Sequence, residues 1–386
     1  MVPPVRRTVW ATLIKESVMT GMDKVPEVYV ALQERLAKNG EGAPKADELF
    51  EILSILFTEE EALVASKMPM LPATFDGLVK ATGMDSDRLA DIIGSMADKG
   101  LVIDIERKSA TRYTLAPPVI GFLEFTFMKR NEHLPMKRLA ELSETYLTNH
   151  LGTEVAGADT ERVRVVPYVS AFGEITTEVV TYEQARELIK TAGRWALTRC
   201  FCRRQAHLLE RGCEMPVEDI CMGLGLGADY MIRHGFGREV SLDEMLAKLD
   251  ETEELGLVHT SDNVQERSVF MCNCCGCCCH ILRGIVELNL PKTAAPSSYI
   301  AHVDEGECVG CEVCVERCQI GAITVDDGVA KVKLESCIGC GVCVPTCATN
   351  AVTLQKREST EEPPRNMMDL FMRRATEKDR LKNYNA

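Results

Sequence analysis

The sequence predicts an α+β, multidomain protein, and three observations lead to that prediction. The chain has 386 residues, more than one hydrophobic core usually organises, so two or three domains are expected. Segments of helical periodicity occur beside short runs of strand-like alternation. All 18 cysteines lie between residues 200 and 347, so a cysteine-free first half is followed by a cysteine-rich remainder.

The cysteine-free part divides into an N-terminal helical segment, residues 1–42, and a module at residues 43–120. Glu41-Gly42-Ala43-Pro44 reads as a linker between them, after a helix predicted by the apolar spacing of residues 25–36. In the module, the capping box Thr58-Glu59-Glu60-Glu61 opens one helix. Further helices are expected over residues 74–82 and 86–99, and strands over residues 101–105 and 111–115. Short helices followed by a hairpin resemble a winged helix-turn-helix.

The winged-helix resemblance implies DNA binding, but the charges disfavour that role. The candidate recognition helix, residues 85–99, carries four aspartates against Arg88 and Lys99, and the chain has a net charge of −14. Phosphate contacts supply much of the affinity for DNA, so a recognition helix usually needs basic residues around it. Nucleic acid is therefore not the favoured partner. We expect this module to bind protein, including a second copy of the chain.

Residues 121–299 are predicted to form a mainly helical, cysteine-rich, metal-binding domain. Strand patterns occur only at residues 162–168 and 175–181, whereas capping boxes at residues 181–184 and 241–244 open helices. The cysteines are therefore expected at helix ends and in connecting loops. The glycines of residues 223–227 follow no clear strand, which favours close packing over dinucleotide binding. Arg238 is a candidate to face an anionic cluster.

Ten cysteines of this middle region are candidate metal ligands, because closely spaced thiols rarely form disulfides and a reducing compartment leaves them free to bind metal. They are Cys200, Cys202, Cys213, Cys221, Cys272, Cys274, Cys275, Cys277, Cys278 and Cys279. The ten suffice for two four-ligand clusters with two to spare, for one cluster and a zinc ion, or for one larger cluster. We therefore expect one or two additional iron–sulfur clusters, or zinc, within residues 200–279.

Residues 300–355 contain a repeated cysteine pattern. The first run begins at Cys308 and has the spacing Cys-x2-Cys-x2-Cys-x3-Cys. The second run has the same spacing and begins 29 residues later, at Cys337. This resembles the bacterial two-[4Fe–4S] ferredoxins. The resemblance implies one cluster held by Cys308, Cys311, Cys314 and Cys347 and another held by Cys337, Cys340, Cys343 and Cys318. Proline usually follows the fourth cysteine of each run in that family, whereas Gln319 and Ala348 stand there in this chain.

As a whole, the chain resembles the multidomain 4Fe–4S dicluster proteins found in anaerobic metabolism. The resemblance implies an iron–sulfur electron-transfer protein that relays electrons between ferredoxin clusters, centres in the middle domain and a partner. That partner would be a redox enzyme or an electron carrier, a flavoprotein among them. The alternatives are an oxidoreductase with its catalytic iron–sulfur centre in the middle domain, a redox-sensing transcription regulator, and a structural zinc protein. No catalytic residue is identified.

The sequence shows no pattern of an exported or membrane-spanning protein. Arg6 and Arg7 precede an apolar stretch that Lys15 ends too early for a twin-arginine signal, and no apolar run approaches 18 residues. A cytoplasmic location is therefore expected. Residues 356–386 are predicted to form a polar linker and a helix over residues 367–381, which either binds a partner or packs back on the chain.

Overall fold

Residues 25–107, 109–172 and 181–384 are described by a computed structural model of the chain. Helices and strands are both present, so the α+β prediction is confirmed at that level. The boundaries of the five predicted domains stay predictions. Arg6 and Arg7 lie outside the described residues, as does all but the last residue of the strand predicted over residues 175–181.

The N-terminal part is helical and ends in a hairpin. Its elements are α1 (Glu27–Ala37), α2 (Asp47–Leu56), α3 (Glu59–Lys67), α4 (Phe75–Thr82), α5 (Ser86–Lys99), β1 (Val102–Ile105) and β2 (Arg112–Leu115). Thr58 and Glu61 cap one another at the start of α3, as the capping box predicts. β1 and β2 pair antiparallel, with Val102 opposite Leu115. The expected order of elements is present, while the relation to winged helices stays a prediction.

In the middle region, helices surround a six-stranded antiparallel sheet. The helices are α6 (Leu123–Met128), α7 (Met136–Tyr146), α8 (Gly152–Ala156), α9 (Ala185–Ala192), α10 (Phe201–Leu208), α11 (Leu226–Arg233), α12 (Leu242–Glu254) and α13 (His280–Val286). The strands are β3 (Val163–Val166), β4 (Trp195–Thr198), β5 (Cys221–Leu224), β6 (Gly237–Glu239), β7 (Val258–Asp262) and β8 (Phe270–Cys274). Their order across the sheet is β3-β7-β8-β5-β4-β6.

This sheet is the part of the middle region that the prediction of a mainly helical domain misses. Helices supply more residues than strands there, but the sheet is the framework, and only β3 was predicted. The other strands have three to five residues each, and β7 is buried along its whole length although four of its five residues are polar. A strand buried on both faces shows no apolar–polar alternation, so its sequence carries no strand signal. The helix expected from residue 181 begins instead at Ala185.

The two faces of the sheet pack against different partners. On one face, Met222 and Met271 join an apolar core that includes Ile189 of α9 and Leu249 of α12. Because side chains alternate along a strand, Cys221 next to Met222 belongs to the opposite face. That second face joins a core that includes many of the cysteines. The sheet therefore separates an ordinary apolar core from the thiol-rich side of the molecule.

The C-terminal part contains two small antiparallel sheets and a final helix. Its elements are β9 (Tyr299–Val303), α14 (Val313–Arg317), β10 (Ile323–Asp326), β11 (Val329–Val332), β12 (Val352–Lys356) and α15 (Met367–Glu377). β9 pairs with β12, and β10 pairs with β11. α15 packs back on the chain through Leu370 and Ala375, which are buried. Among the described residues, no helix combines the length and the apolar character of a membrane span.

A buried ionic network connects segments that are distant in sequence. Glu41 lies 3.0 Å from Arg374 of α15 and 3.2 Å from Arg162, which precedes β3. Arg162 also pairs with Asp262, at the end of β7, at 2.8 Å. All four side chains are buried. The predicted linker at Glu41 is therefore a junction at which the N-terminal segment, the sheet and the C-terminal helix meet.

We expect Glu41→Ala to lower the free energy of unfolding by about 3–5 kcal/mol, because it leaves the buried Arg374 without a counter-charge and leaves Arg162 with Asp262 alone. Urea unfolding followed by circular dichroism measures this. The matched control is Lys292→Ala, which removes an exposed ion pair with Asp159 and should change stability little. Equal effects of the two substitutions would contradict the role given to the network.

Candidate metal centres

The first cysteine run of residues 300–355 lines a pocket together with one cysteine of the second run. The thiols at this pocket belong to Cys308, Cys311, Cys314 and Cys347. The backbone N–H of Ala330 donates to Cys308 Sγ at 3.3 Å. Gly310 has φ +65°, and a Cβ there would lie 2.4 Å from the carbonyl oxygen of Gly328, so the loop passes close to the β10–β11 turn. The structure thus brings together the four thiols that the ferredoxin resemblance gives to one cluster.

The other four thiols of this region also interact with one another. They belong to Cys318, Cys337, Cys340 and Cys343. Burial, reinforced by the Cys318 and Cys337 thiols, raises the pKa of Cys340 to about 12, so a metal has to displace a proton there. The backbone N–H of Ala322 donates to Cys318 Sγ at 3.2 Å. Two sets of four thiols with N–H groups aimed at sulfur fit two [4Fe–4S] clusters. The ligand-by-ligand assignment stays a prediction.

Four cysteines of the middle region form a compact group, which we call the four-thiol site. It consists of Cys213, Cys275, Cys277 and Cys278, whose sulfur atoms all lie within 4.8 Å of one another. The Cys213–Cys275, Cys213–Cys278 and Cys277–Cys278 sulfur distances are 3.8, 3.7 and 3.7 Å.

These distances fit a single tetrahedral ion. A Zn–S bond of about 2.3 Å places the four sulfur atoms of a tetrahedron about 3.8 Å apart. The cysteines of a cubane cluster stand farther apart, because each thiolate binds a different iron. The four-thiol site therefore suits one zinc or one iron ion better than a cluster.

The remaining six cysteines form a second group, which we call the six-thiol group. It consists of Cys200, Cys202, Cys221, Cys272, Cys274 and Cys279. Cys200 and Cys279 are the N-cap residues of α10 and α13, as expected of cysteines at helix ends. That expectation is wrong for Cys221, Cys272 and Cys274, which lie on β5 and β8. Both halves of the middle region thus contribute thiols to both groups.

Arg203 is a buried cation beside both groups. Its side chain donates from Nε to Cys275 Sγ at 3.3 Å and from Nη2 to the carbonyl oxygen of Asn273 at 2.8 Å. Burial by itself would lower the pKa of Arg203, but the sulfurs of Cys200, Cys275 and Cys221 outweigh burial and raise it. The guanidinium therefore offsets negative charge at the four-thiol site and at the six-thiol group.

No sequence pattern distinguishes Arg203 from the other arginines. It is one of two adjacent arginines in α10, and its burial follows only from the fold. Arg238, the arginine expected to face a cluster, instead pairs with Asp219 and Glu244. The glycines of residues 223–227 do lie at the end of a strand, β5, contrary to the prediction. They nevertheless serve packing, since a Cβ at Gly227 would lie 2.1 Å from the carbonyl oxygen of Val269.

Gln319 joins the ferredoxin-like region to the four-thiol site. Its Oε1 accepts from the backbone N–H of Gly276 at 2.8 Å, and its Nε2 donates to the carbonyl oxygen of Gly256 at 3.0 Å. A Cβ at Gly276 would lie 2.0 Å from the carbonyl oxygen of Gln319, so the two backbones are in direct contact. Proline has no side-chain amide for these bonds. The departure from the ferredoxin pattern is therefore the point at which two metal-binding regions touch.

The comparisons with known proteins agree with the ferredoxin-like part of the chain. The family described as "4Fe-4S binding domain" (Fer4) matches residues 301–324, a segment that contains the first cysteine run. No curated protein and no solved structure matches the chain. A 4Fe–4S-binding segment is thus supported by both the comparison and the geometry.

We expect Cys277→Ser to remove one metal ion per chain, because a tetrahedral ion that loses one of four thiolates binds much more weakly. Cys277 is the exposed member of the site, so the fold should persist. Zinc and iron counts by plasma mass spectrometry, on protein purified without oxygen, measure the loss. The control is Cys311→Ser, an exposed ferredoxin-loop thiol, which should leave this ion in place. Equal ion content in Cys277→Ser and the unaltered protein would show that the group does not hold an ion.

Proposed function

We propose that this protein is an iron–sulfur electron-transfer protein of anaerobic metabolism. In this role it relays electrons between its two ferredoxin-type clusters, further iron centres of its middle region and a partner redox enzyme or electron carrier. Zinc has no redox chemistry, so a relay through the four-thiol site requires iron there. The ferredoxin-type match and the grouped thiols support the electron-transfer class. Bound [4Fe–4S] clusters supply one-electron chemistry, and the chain's residues determine where electrons enter and leave.

The contact made by Gln319 is the observation that most directly supports the proposed relay. Gln319 directly follows Cys318 in the sequence, and Cys318 belongs to the second ferredoxin group. Gly276 directly follows Cys275, which belongs to the four-thiol site. The hydrogen bond between Gly276 and Gln319 therefore links two ligand-bearing segments directly. Arg317 reinforces the junction by donating to the carbonyl oxygens of Glu253 and Glu254 at the end of α12.

The first ferredoxin group lies at the surface and suits exchange with a partner. Cys311 is exposed, and Val309 beside it is 66% exposed. Exposed carboxylates of Glu307 and Glu312 flank this loop, so a partner with a basic, partly apolar patch is complementary to it. By contrast, none of the four thiols of the second group is exposed. The first ferredoxin group is therefore the outer site for electron exchange, and the second group is the inner one.

We expect Cys311→Ser and Cys340→Ser each to remove one of the two ferredoxin clusters, so that about four of about eight ferredoxin irons are lost. Iron and sulfide analysis together with EPR of the reduced, anaerobic protein measures the change. Cys277→Ser serves as the control, because it should leave both cluster signals intact. Retention of both clusters in either ferredoxin variant would contradict the ligand sets.

We expect Gln319→Ala to keep the metal content but slow electron exchange between the ferredoxin clusters and the middle region. The lost hydrogen bonds should also cost roughly 1–2 kcal/mol of stability. Anaerobic stopped-flow reduction, with the ferredoxin and middle-region signals followed separately, measures the rate. Gln319→Glu keeps the acceptor oxygen for Gly276 and should remain faster than Gln319→Ala. Equal rates in all three proteins would show that electrons do not pass through this junction.

The described charges do not support the alternative of a DNA-binding regulator. Both basic side chains of the candidate recognition helix α5 are already paired within the N-terminal part, Arg88 with Glu60 and Lys99 with Glu61. The hairpin after α5 also packs against α11, where the hydroxyl of Tyr230 donates to a β1 carbonyl oxygen. These contacts suit a structural or protein-binding role of α5 and the hairpin better than recognition of a DNA groove.

A further inference from the structure

We infer that the six-thiol group holds a polynuclear iron–sulfur centre, separate from the ferredoxin clusters and from the ion of the four-thiol site. This centre deepens the proposed relay, and its iron–sulfur character rests on that proposed function.

Strand pairing places three of the six thiols together. β5 and β8 pair antiparallel with Met222 opposite Met271, so the next step of the same ladder sets Cys221 opposite Cys272. Cys274 lies two residues beyond Cys272 on β8, and residues two apart on a strand share a face. These three cysteines therefore lie together on the thiol-rich face of the sheet.

The N-terminal ends of two helices complete the group. α10 supplies two thiols and α13 supplies one, and their side chains interact with those of the strands. Each thiol interacts with two neighbours, so the contacts close into a ring in the order Cys200, Cys202, Cys279, Cys274, Cys272, Cys221 and back to Cys200.

A ring of six thiols is more than one tetrahedral ion can use, since such an ion takes four ligands. Two ions that share thiolates also fit poorly. In that arrangement two bridging sulfurs form the shared edge of two tetrahedra, one around each ion. Each bridging sulfur then lies close to the other bridging sulfur and to all four terminal sulfurs. Across the described part of the chain, only the four-thiol site has its sulfurs all within 4.8 Å of one another. A polynuclear centre, in which iron and inorganic sulfide separate the thiolates, fits this spacing better than ions that share thiolates.

The surroundings of the ring suit such a centre. All its members are buried except Cys272, which is half-buried. The Thr260 hydroxyl lies 3.5 Å from Cys274 Sγ, and hydrogen bonds to sulfur are a main control of cluster potential. Arg203 adds a positive charge beside Cys200 and Cys221. The ring is thus shielded from solvent, hydrogen-bonded and partly charge-compensated.

Iron, sulfide and zinc counts of the full-length protein, purified without oxygen, test the inference. The ferredoxin clusters account for about eight irons and about eight sulfides per chain. We expect sulfide above that number, with an extra iron component in the Mössbauer spectrum. Cys202→Ser and Cys274→Ser should each lose this excess and keep the ferredoxin signals. The control, Cys277→Ser, should lose only the single ion.

The possible outcomes separate this inference from the proposed function. Sulfide limited to the ferredoxin complement, with six additional thiols open to alkylation, would overturn the inference and leave the relay standing. Two zinc ions lost with Cys202→Ser would overturn it as well, in favour of a zinc–thiolate centre. Absence of iron from the ferredoxin region would instead contradict the proposed function. The count on the unaltered protein needs no variant, so it decides even if a substitution prevents folding.

Discussion

The arrangement of the cysteine-rich half depends on the buried guanidinium of Arg203. Two groups of thiolates in a protein interior accumulate negative charge, and burying such charge without compensation is costly. Arg203 donates to Cys275 of the four-thiol site, and its charge also acts on Cys200 and Cys221 of the six-thiol group. Its other N–H groups donate to backbone carbonyl oxygens, including that of Asn273 between two ring cysteines. One cation therefore lies between both groups and offsets part of their charge.

The thiols in turn couple metal binding to the fold. Hydrogen bonds from Cys202 and Cys221 lower the pKa of Cys200, whereas burial and hydrogen bonds to its neighbours raise the pKa of Cys202. A metal centre that binds to these thiols displaces their protons, so its affinity depends on pH. Because the ring joins β5 and β8 to α10 and α13, a centre bound there stabilises the contact between the sheet and the helices at its edge.

The sequence predicts local features well and long-range ones poorly. The capping box at Thr58 and the repeated ferredoxin spacing depend on residues a few positions apart, so pattern alone predicts them. The division of the ten middle thiols into two groups depends instead on the pairing of β5 with β8, which places Cys221 opposite Cys272, some 50 residues later. Short buried strands carry no sequence pattern that predicts this pairing. Glu41 reads as a linker residue because a charge beside glycine and proline suggests exposure, whereas two arginines from distant segments bury it.

The cysteine groups adjoin one another along the fold. Cys311 is exposed, Cys343 is buried, and Gln319 leads from the second ferredoxin group to Gly276 and the four-thiol site. A ferredoxin that acts alone has no need of an amide side chain after its fourth cysteine, and proline stiffens that turn. In this chain the amide bonds instead to the middle region. The same position that departs from the ferredoxin pattern therefore makes the contact on which the proposed relay depends.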